Sequence, residues 1–411
     1  MRRREALALA AAALLLGACQ RERPFELGEV MEVNAPTPDG SSEPNLATGP
    51  DGRVWMSWVQ PGPDSTHALR VAVLDSMGWK KPRTAAQGAR WMINWADFPS
   101  VLPLPGGRLA VHWLERSDTA KYAYGVRVAQ SFTEGASWTP GAPPHRDGTP
   151  TEHGFVSLWP ARGDSVGAVW LDGRAFVLDP MSMDTAPRRE MALMSASLSR
   201  DGGMGPERYL DRRVCDCCQT GLAMTSKGPL VVYRDRTADE IRDIYAVRWA
   251  DTAWGAPHAV HADGWKIEGC PVNGPQASAD GDRVAVAWFT AARDTPRVNV
   301  AFSGDAGDTF APPVRVDGGN PVGRVDVEMV EGGALVTWME RSGGENAEVR
   351  VRFVARDGRL GDPKVVAKSS AARAAGFPRM AVSGNTVLFA WTEPGTPSRI
   401  RMARALRTEA R

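Results

Sequence analysis

Apolar residues in this chain gather in short runs separated by Gly, Asp, Ser and Pro. Seven of the runs end in an aromatic: Trp58, Trp113, Trp170, Tyr233, Trp288, Trp338 and Trp391, at intervals of 55, 57, 63, 55, 50 and 53 residues. The runs at 54–58, 109–113, 284–288 and 334–338 are nearly continuous in Val, Ala, Leu and Trp. Such segments suit inner strands packed on both faces. In each repeat a first strand, a Gly/Asp turn, a second strand ending in the aromatic, a polar loop and two further strands follow in order. A strand-built repeat of this length predicts a β-propeller with one four-stranded blade per repeat. After Trp391 there is room for one more strand only, near 399–405, whereas residues 25–34 read as a spare strand before the first blade. A ring must leave no open edge. The predicted fold is therefore all-β, a seven-bladed β-propeller closed by an N-terminal strand that completes the last blade.

The turn between third and fourth strands supplies a second repeat. It is clearest at 131–138 (SFTEGASW) and 303–310 (SGDAGDTF), with shorter copies at 75–79, 199–203, 251–255 and 356–358. A Ser or Asp side chain there can bond turn amides, Gly supplies a positive φ, and the aromatic fills the gap between strands. These turns resemble the Asp box of the sialidase superfamily, and 303–310 matches it fully. The resemblance covers nearly the whole chain as repeat architecture. Sialidases have six blades, so six is the alternative count. In that family the Asp boxes lie on the face opposite the active site, which implies that ligands meet the other mouth.

The N-terminus reads as an export signal. Arg2, Arg3 and Arg4 precede an apolar run at 6–16 and then Leu16-Gly17-Ala18-Cys19. The run is too short for a membrane anchor but fits a signal peptide. The pattern resembles the lipobox of bacterial lipoproteins, which implies cleavage before Cys19 and lipidation of its sulfur. The expected organisation is a signal peptide at 1–18, a lipidated tether at 19–24 and a propeller at 25–411. In a Gram-negative source the anchor would face the periplasm from the outer membrane. The chain's 49 Lys and Arg balance 48 Asp and Glu, giving a net charge of +1. No global field draws it to nucleic acid.

Loops entering first strands or leaving second strands share the ligand-facing mouth. An arginine follows the aromatic in five consecutive blades: Arg116, Arg174, Arg234 with Arg236, Arg293 and Arg341. Guanidinium forks converging on a mouth suit a carboxylate, phosphate or sulfate. Pairing with the acids beside them in sequence is the structural alternative. His153, Asn273, Trp91, Trp95, Gln219, Trp265 and Glu268 fall in the same loops, and Trp there suits stacking on a sugar-like ligand. Cys215, Cys217 and Cys218 enter the fourth blade and Cys270 the fifth, so the four should be neighbours. Export favours two disulfides. The other reading is a copper(I) or zinc site, with His258 or His261 joining the thiolates; apart from it no cofactor is expected.

Asp97, Asp172, Asp235 and Glu340 are the candidate catalytic acids, though no pair stands out by spacing. The sialidase resemblance implies a late tyrosine nucleophile, but every tyrosine here lies at or before Tyr245. The functional expectation is a lipid-anchored propeller that binds an anionic or glycan-type ligand, or a protein partner, at a Cys- and Arg-rich mouth. A glycoside hydrolase of altered mechanism and a metal-handling or redox protein are the alternatives.

Overall fold

The computed structural model describes residues 25–176, 190–250 and 252–408. Cys19 and the expected signal peptide lie outside them. The described residues form seven antiparallel sheets, each one blade, in chain order around a central channel. Blade 1 begins at Ser42–Thr48, blade 2 at Ser100–Leu104, blade 3 at His153–Pro160 and blade 4 at Gly221–Thr225. Blades 5, 6 and 7 begin at Gln276–Asp280, Pro321–Val330 and Arg379–Ser383. The seven-blade count and the all-β class stand as expected.

Closure also follows the expectation. Blade 7 contributes Arg379–Ser383, Thr386–Glu393 and Arg399–Thr408 from the C-terminal end, and Glu26–Leu27 and Met31–Val33 both pair with Arg399–Thr408. Phe25 then stacks on Phe353 of blade 6, with ring centroids 5.7 Å apart. Blade 2 departs from the four-stranded pattern. It has three strands, and its outer position is reduced to a bridge between Val128 and Ala142. Pro140, Pro143 and Pro144 flank that bridge and have no N–H to extend a ladder.

The seven aromatics explain the repeat. Each sits on the second strand of its blade and packs into the apolar face of the preceding blade. Trp58 meets Ala381, Leu388 and Met402 of blade 7. Trp170 meets Val126 and Val128 of blade 2. Trp288 meets Leu230 and Val232, and Trp338 meets Ala287 and Val300. Tyr233 fills the same place between blades 3 and 4. Each is a wedge at a blade junction, and burying so large a ring is worth several kcal/mol.

The Asp-box turns tie the other face. In the fifth blade Ser303 Oγ accepts from the Gly307 N–H at 2.9 Å and donates to Asp305 Oδ1 at 2.7 Å. Asp305 in turn accepts from the Thr309 N–H at 2.9 Å, and Gly307 takes φ 86°.

Replacing Phe25 by Ala removes the ring that clamps the N-terminal strand onto blade 6. The expected cost is about 3 kcal/mol, read as a lowered urea midpoint; a loss below about 0.5 kcal/mol would mean that the strand does not close the ring.

Candidate functional site

The wedge aromatics carry polar handles toward the mouth. On a strand the residue two positions on shares the same face. Accordingly Trp170 Nε1 donates to Asp172 at 2.7 Å, and Trp338 Nε1 donates to Glu340 at 2.5 Å. Both acids are buried and their remaining lone pairs are taken. Asp172 receives Arg174 through Nε at 2.7 Å and Nη2 at 2.6 Å. Glu340 caps the loop entering blade 6 by accepting from the Gly318 and Asn320 N–H groups at 3.2 and 2.7 Å. These two carboxylates anchor wedges and hold loops.

The other two candidate acids have different surroundings. Asp97 is buried and accepts from the Phe155 N–H at 2.7 Å, and burial pushes its carboxyl well up. It belongs to segment 94–98, which lies across the channel. Trp95 and Phe98 of that segment pack on Phe377 at 5.8 and 5.7 Å, and the Gln219 side chain donates to Ala96 O. Below this plug the channel holds a cavity of about 190 Å³ lined by Asp97, Phe155, Gln219 and Arg379. A cavity of about 610 Å³ lies away from the mouth, between Phe25, Phe353 and Leu360. Asp235 is 8% exposed, and burial followed by the Asp211 and Asp243 charges raises it to about 7. Tyr233 makes its bond to Asp211 instead, at 2.6 Å.

Several candidate ligand residues are engaged in the framework. Arg174 pairs with Asp172 and with Glu207 at 2.9 Å. Arg234 is buried and donates to the carbonyls of Arg242, Asn273 and Phe289, stitching blades 4 and 5. Arg236 pairs with Glu240 and Asp216. His153 is fully buried, 3.1 Å from Asp147 and stacked on His145. His145 accepts from the Val126 N–H at 3.3 Å and Arg174 also reaches Asp147, so this His–Asp group is a structural knot. Trp91 stacks on Trp113, and Trp265 lies over the Arg234 guanidinium.

The arginines that follow the aromatics of blades 2, 5 and 6 differ. Arg116 is half-buried, Arg293 and Arg341 are exposed, and none of the three forms an ion pair with a described residue. Beside Arg341 stand two residues that had not been singled out. Arg324, on the first strand of blade 6, is 4% exposed and has φ 54° at a bulge. Its N–H donates to Asn273 Oδ1 at 2.7 Å, which holds the bulge. The guanidinium donates to Ala371, Ala372 and Gly376 carbonyls, each at 3.0 Å, and lies 4.8 Å from the Trp95 ring. Burial, and then the Arg341 and Arg373 charges, push it down to about 10. Arg373 is exposed, and no carboxylate among the described residues pairs with any of the three.

The same bulge recurs at Glu43 and Phe155, each with positive φ at the mouth end of a first strand. A bulge re-aims a side chain, and a non-glycine residue held in this region costs about 1–3 kcal/mol. The only sequence signal for Arg324 and Arg373 is their place where the chain enters the first strands of blades 6 and 7, on the ligand-facing side.

The four cysteines do gather. Cys215, Cys217 and Cys218 bring their sulfurs within 4.8 Å of one another, with Cys215 and Cys218 3.7 Å apart. Cys270, in the loop entering blade 5, stands outside this trio on the Cys217 side. None of the four is disulfide-bonded in this structure. His258 does not join them: it bonds Gly307 O at 2.9 Å, at an Asp-box turn. His261 packs on Trp288.

No protein-family model matches the sequence, and no curated protein does. Among solved structures, 94% of the chain is similar to the whole of a protein of unknown function from Dyadobacter fermentans, at 13% identity and TM-score 0.52. The polysaccharide lyase Uly1 matches 92% of the chain with 91% of its own, at 10% identity and TM-score 0.50. The NanB sialidase of Streptococcus pneumoniae is more distant, at 11% identity and TM-score 0.45, with 93% of this chain and 70% of that one aligned. The first two are likenesses of fold alone.

Glu152, at the mouth, accepts the Tyr124 hydroxyl; burial and then the Asp216 charge raise it to about 7. A carboxyl raised in the folded state carries no penalty below its unfolded value and a growing one up to the folded value. Buried His112, pushed down to about 3, titrates the other way, so the useful quantity is a difference between variants. The stability of Glu152→Gln relative to the parent should rise from pH 4.5 to 7 and then level. Parallel urea-midpoint curves across that range would contradict it.

Proposed function

We propose that this chain is an exported, lipid-anchored propeller that binds an acidic glycan at the mouth between blades 6 and 7. The observation that carries the reading is buried Arg324 with the charges of exposed Arg341 and Arg373 beside it, none of the three ion-paired with a carboxylate among the described residues. Arg174, by contrast, is neutralised by Asp172 and Glu207. Like charges brought together raise the energy of the free protein, and an incoming anion relieves it. Arg324 supplies a fixed charge behind the surface, while the exposed Arg341 and Arg373 offer forks to a carboxylate or sulfate. The glycan class is suggested by the polysaccharide lyase Uly1, whose fold the chain shares. The anchor rests on the Leu16–Cys19 segment.

Arrayed oligosaccharides bearing carboxylates or sulfates, with neutral counterparts, test the binding reading on the full chain. Acidic members should be retained, and Arg341→Ala with Arg373→Ala should weaken them at least tenfold without lowering the melting temperature. Equal binding by parent and double variant, or retention of neutral glycans alone, would refute it. For the anchor, labelled fatty acid should enter the chain in expressing bacteria and be lost in Cys19→Ser; labelling that survives the substitution would remove the lipobox from the account.

A further inference from the structure

The thiol group lies in the loops entering blades 4 and 5 and plays no part in that reading. We propose that Cys215, Cys217, Cys218 and Cys270 hold one thiophilic d10 cation, zinc or copper(I). Three observations support this. The first is convergence. Two disulfides need only two close pairs, yet here three sulfurs from one tight turn lie mutually within 4.8 Å, and Cys270 of the next blade stands outside that trio on the Cys217 side. The 3.7 Å between Cys215 and Cys218 sulfurs is close to the edge of about 3.8 Å of a thiolate tetrahedron with metal–sulfur bonds near 2.3 Å.

The second is charge. Arg242 is buried, and its Nη1 lies 3.2 Å from the Cys215 sulfur. A four-thiolate site carries an excess of negative charge when filled, and a buried guanidinium beside it offsets part of that excess. The third is access. Cys215 and Cys218 are buried, whereas Cys270 is exposed, so an ion can enter at one corner and be closed in at the others.

Binding replaces each coordinating S–H bond by a sulfur–metal bond and releases that proton to solvent, so affinity should fall as pH is lowered. Donor softness selects zinc or copper(I) over calcium and magnesium.

The full chain carrying Cys19→Ser is the material for the test, so that only the four mouth thiols are counted. Reduced, metal-free protein is titrated with zinc alone and with copper(I) alone, and retained metal and reactive thiols are measured after desalting. One equivalent of at least one ion should be retained with the thiols protected, and Cys215→Ser and Cys217→Ser should each weaken retention at least tenfold. Cys270→Ser, at an exposed position, serves as the variant least able to disturb folding and should weaken retention as well. Failure to retain either ion, or retention equal in all variants, would overturn the site. So would protein exported and isolated without reductant that has no metal and no free thiol, since the four cysteines would then form two disulfides. Neither result bears on glycan retention by Arg341 and Arg373.

Discussion

Each blade of this molecule is held to its neighbour by one aromatic side chain. The ring on the second strand enters the apolar face of the preceding sheet and fills the junction. A twisted four-stranded sheet cannot bury both faces alone, so the junction is where the hydrophobic gain is made. Because the wedge must stand at one height in every blade, it imposes a period on the sequence. It also imposes an edge problem. Seven sheets wedged in a circle leave the last one open unless another strand covers it, and the N-terminal segment does so from the far end of the chain.

The wedges also organise the mouth. An indole N–H buried at a junction needs an acceptor. Asp172 and Glu340 provide it from two residues further along the strand. A buried carboxylate then needs its own partners, and Arg174 or loop amides supply them. Much of the charge at this surface is therefore a consequence of packing. Two places fall outside that logic: the arginine group around Arg324 and the thiols around Cys217.

The architecture was readable from the chain because its constraints are local and repeated. An aromatic ending a strand, a Gly-rich turn with Ser or Asp, and a count of strands left over at each end all survive without knowledge of contacts. Cross-blade partners are another matter. Nothing near Arg174 tells whether its fork meets Asp172 or a ligand, since both lie within reach of a flexible side chain. The plug at 94–98 was read as a rim loop rich in Trp, because a loop's path over the channel depends on Phe377 and Gln219, far away in sequence. Arg324 was missed for a similar reason: its direction is set by a bulge held by Asn273 from another blade. Cysteine proximity followed from loop assignment alone, whereas their chemistry depends on distances the sequence does not contain.

The central claim is that the uncompensated arginines of blades 6 and 7 form an anion site. Crystals of the protein soaked in selenate, with anomalous scattering measured at the selenium edge, test it most directly. The account predicts a selenium peak within hydrogen-bonding reach of Arg341 and Arg373, absent when both are alanine. Well-diffracting soaked crystals with selenate bound elsewhere and none at this group, while these side chains remain open to solvent, would contradict it.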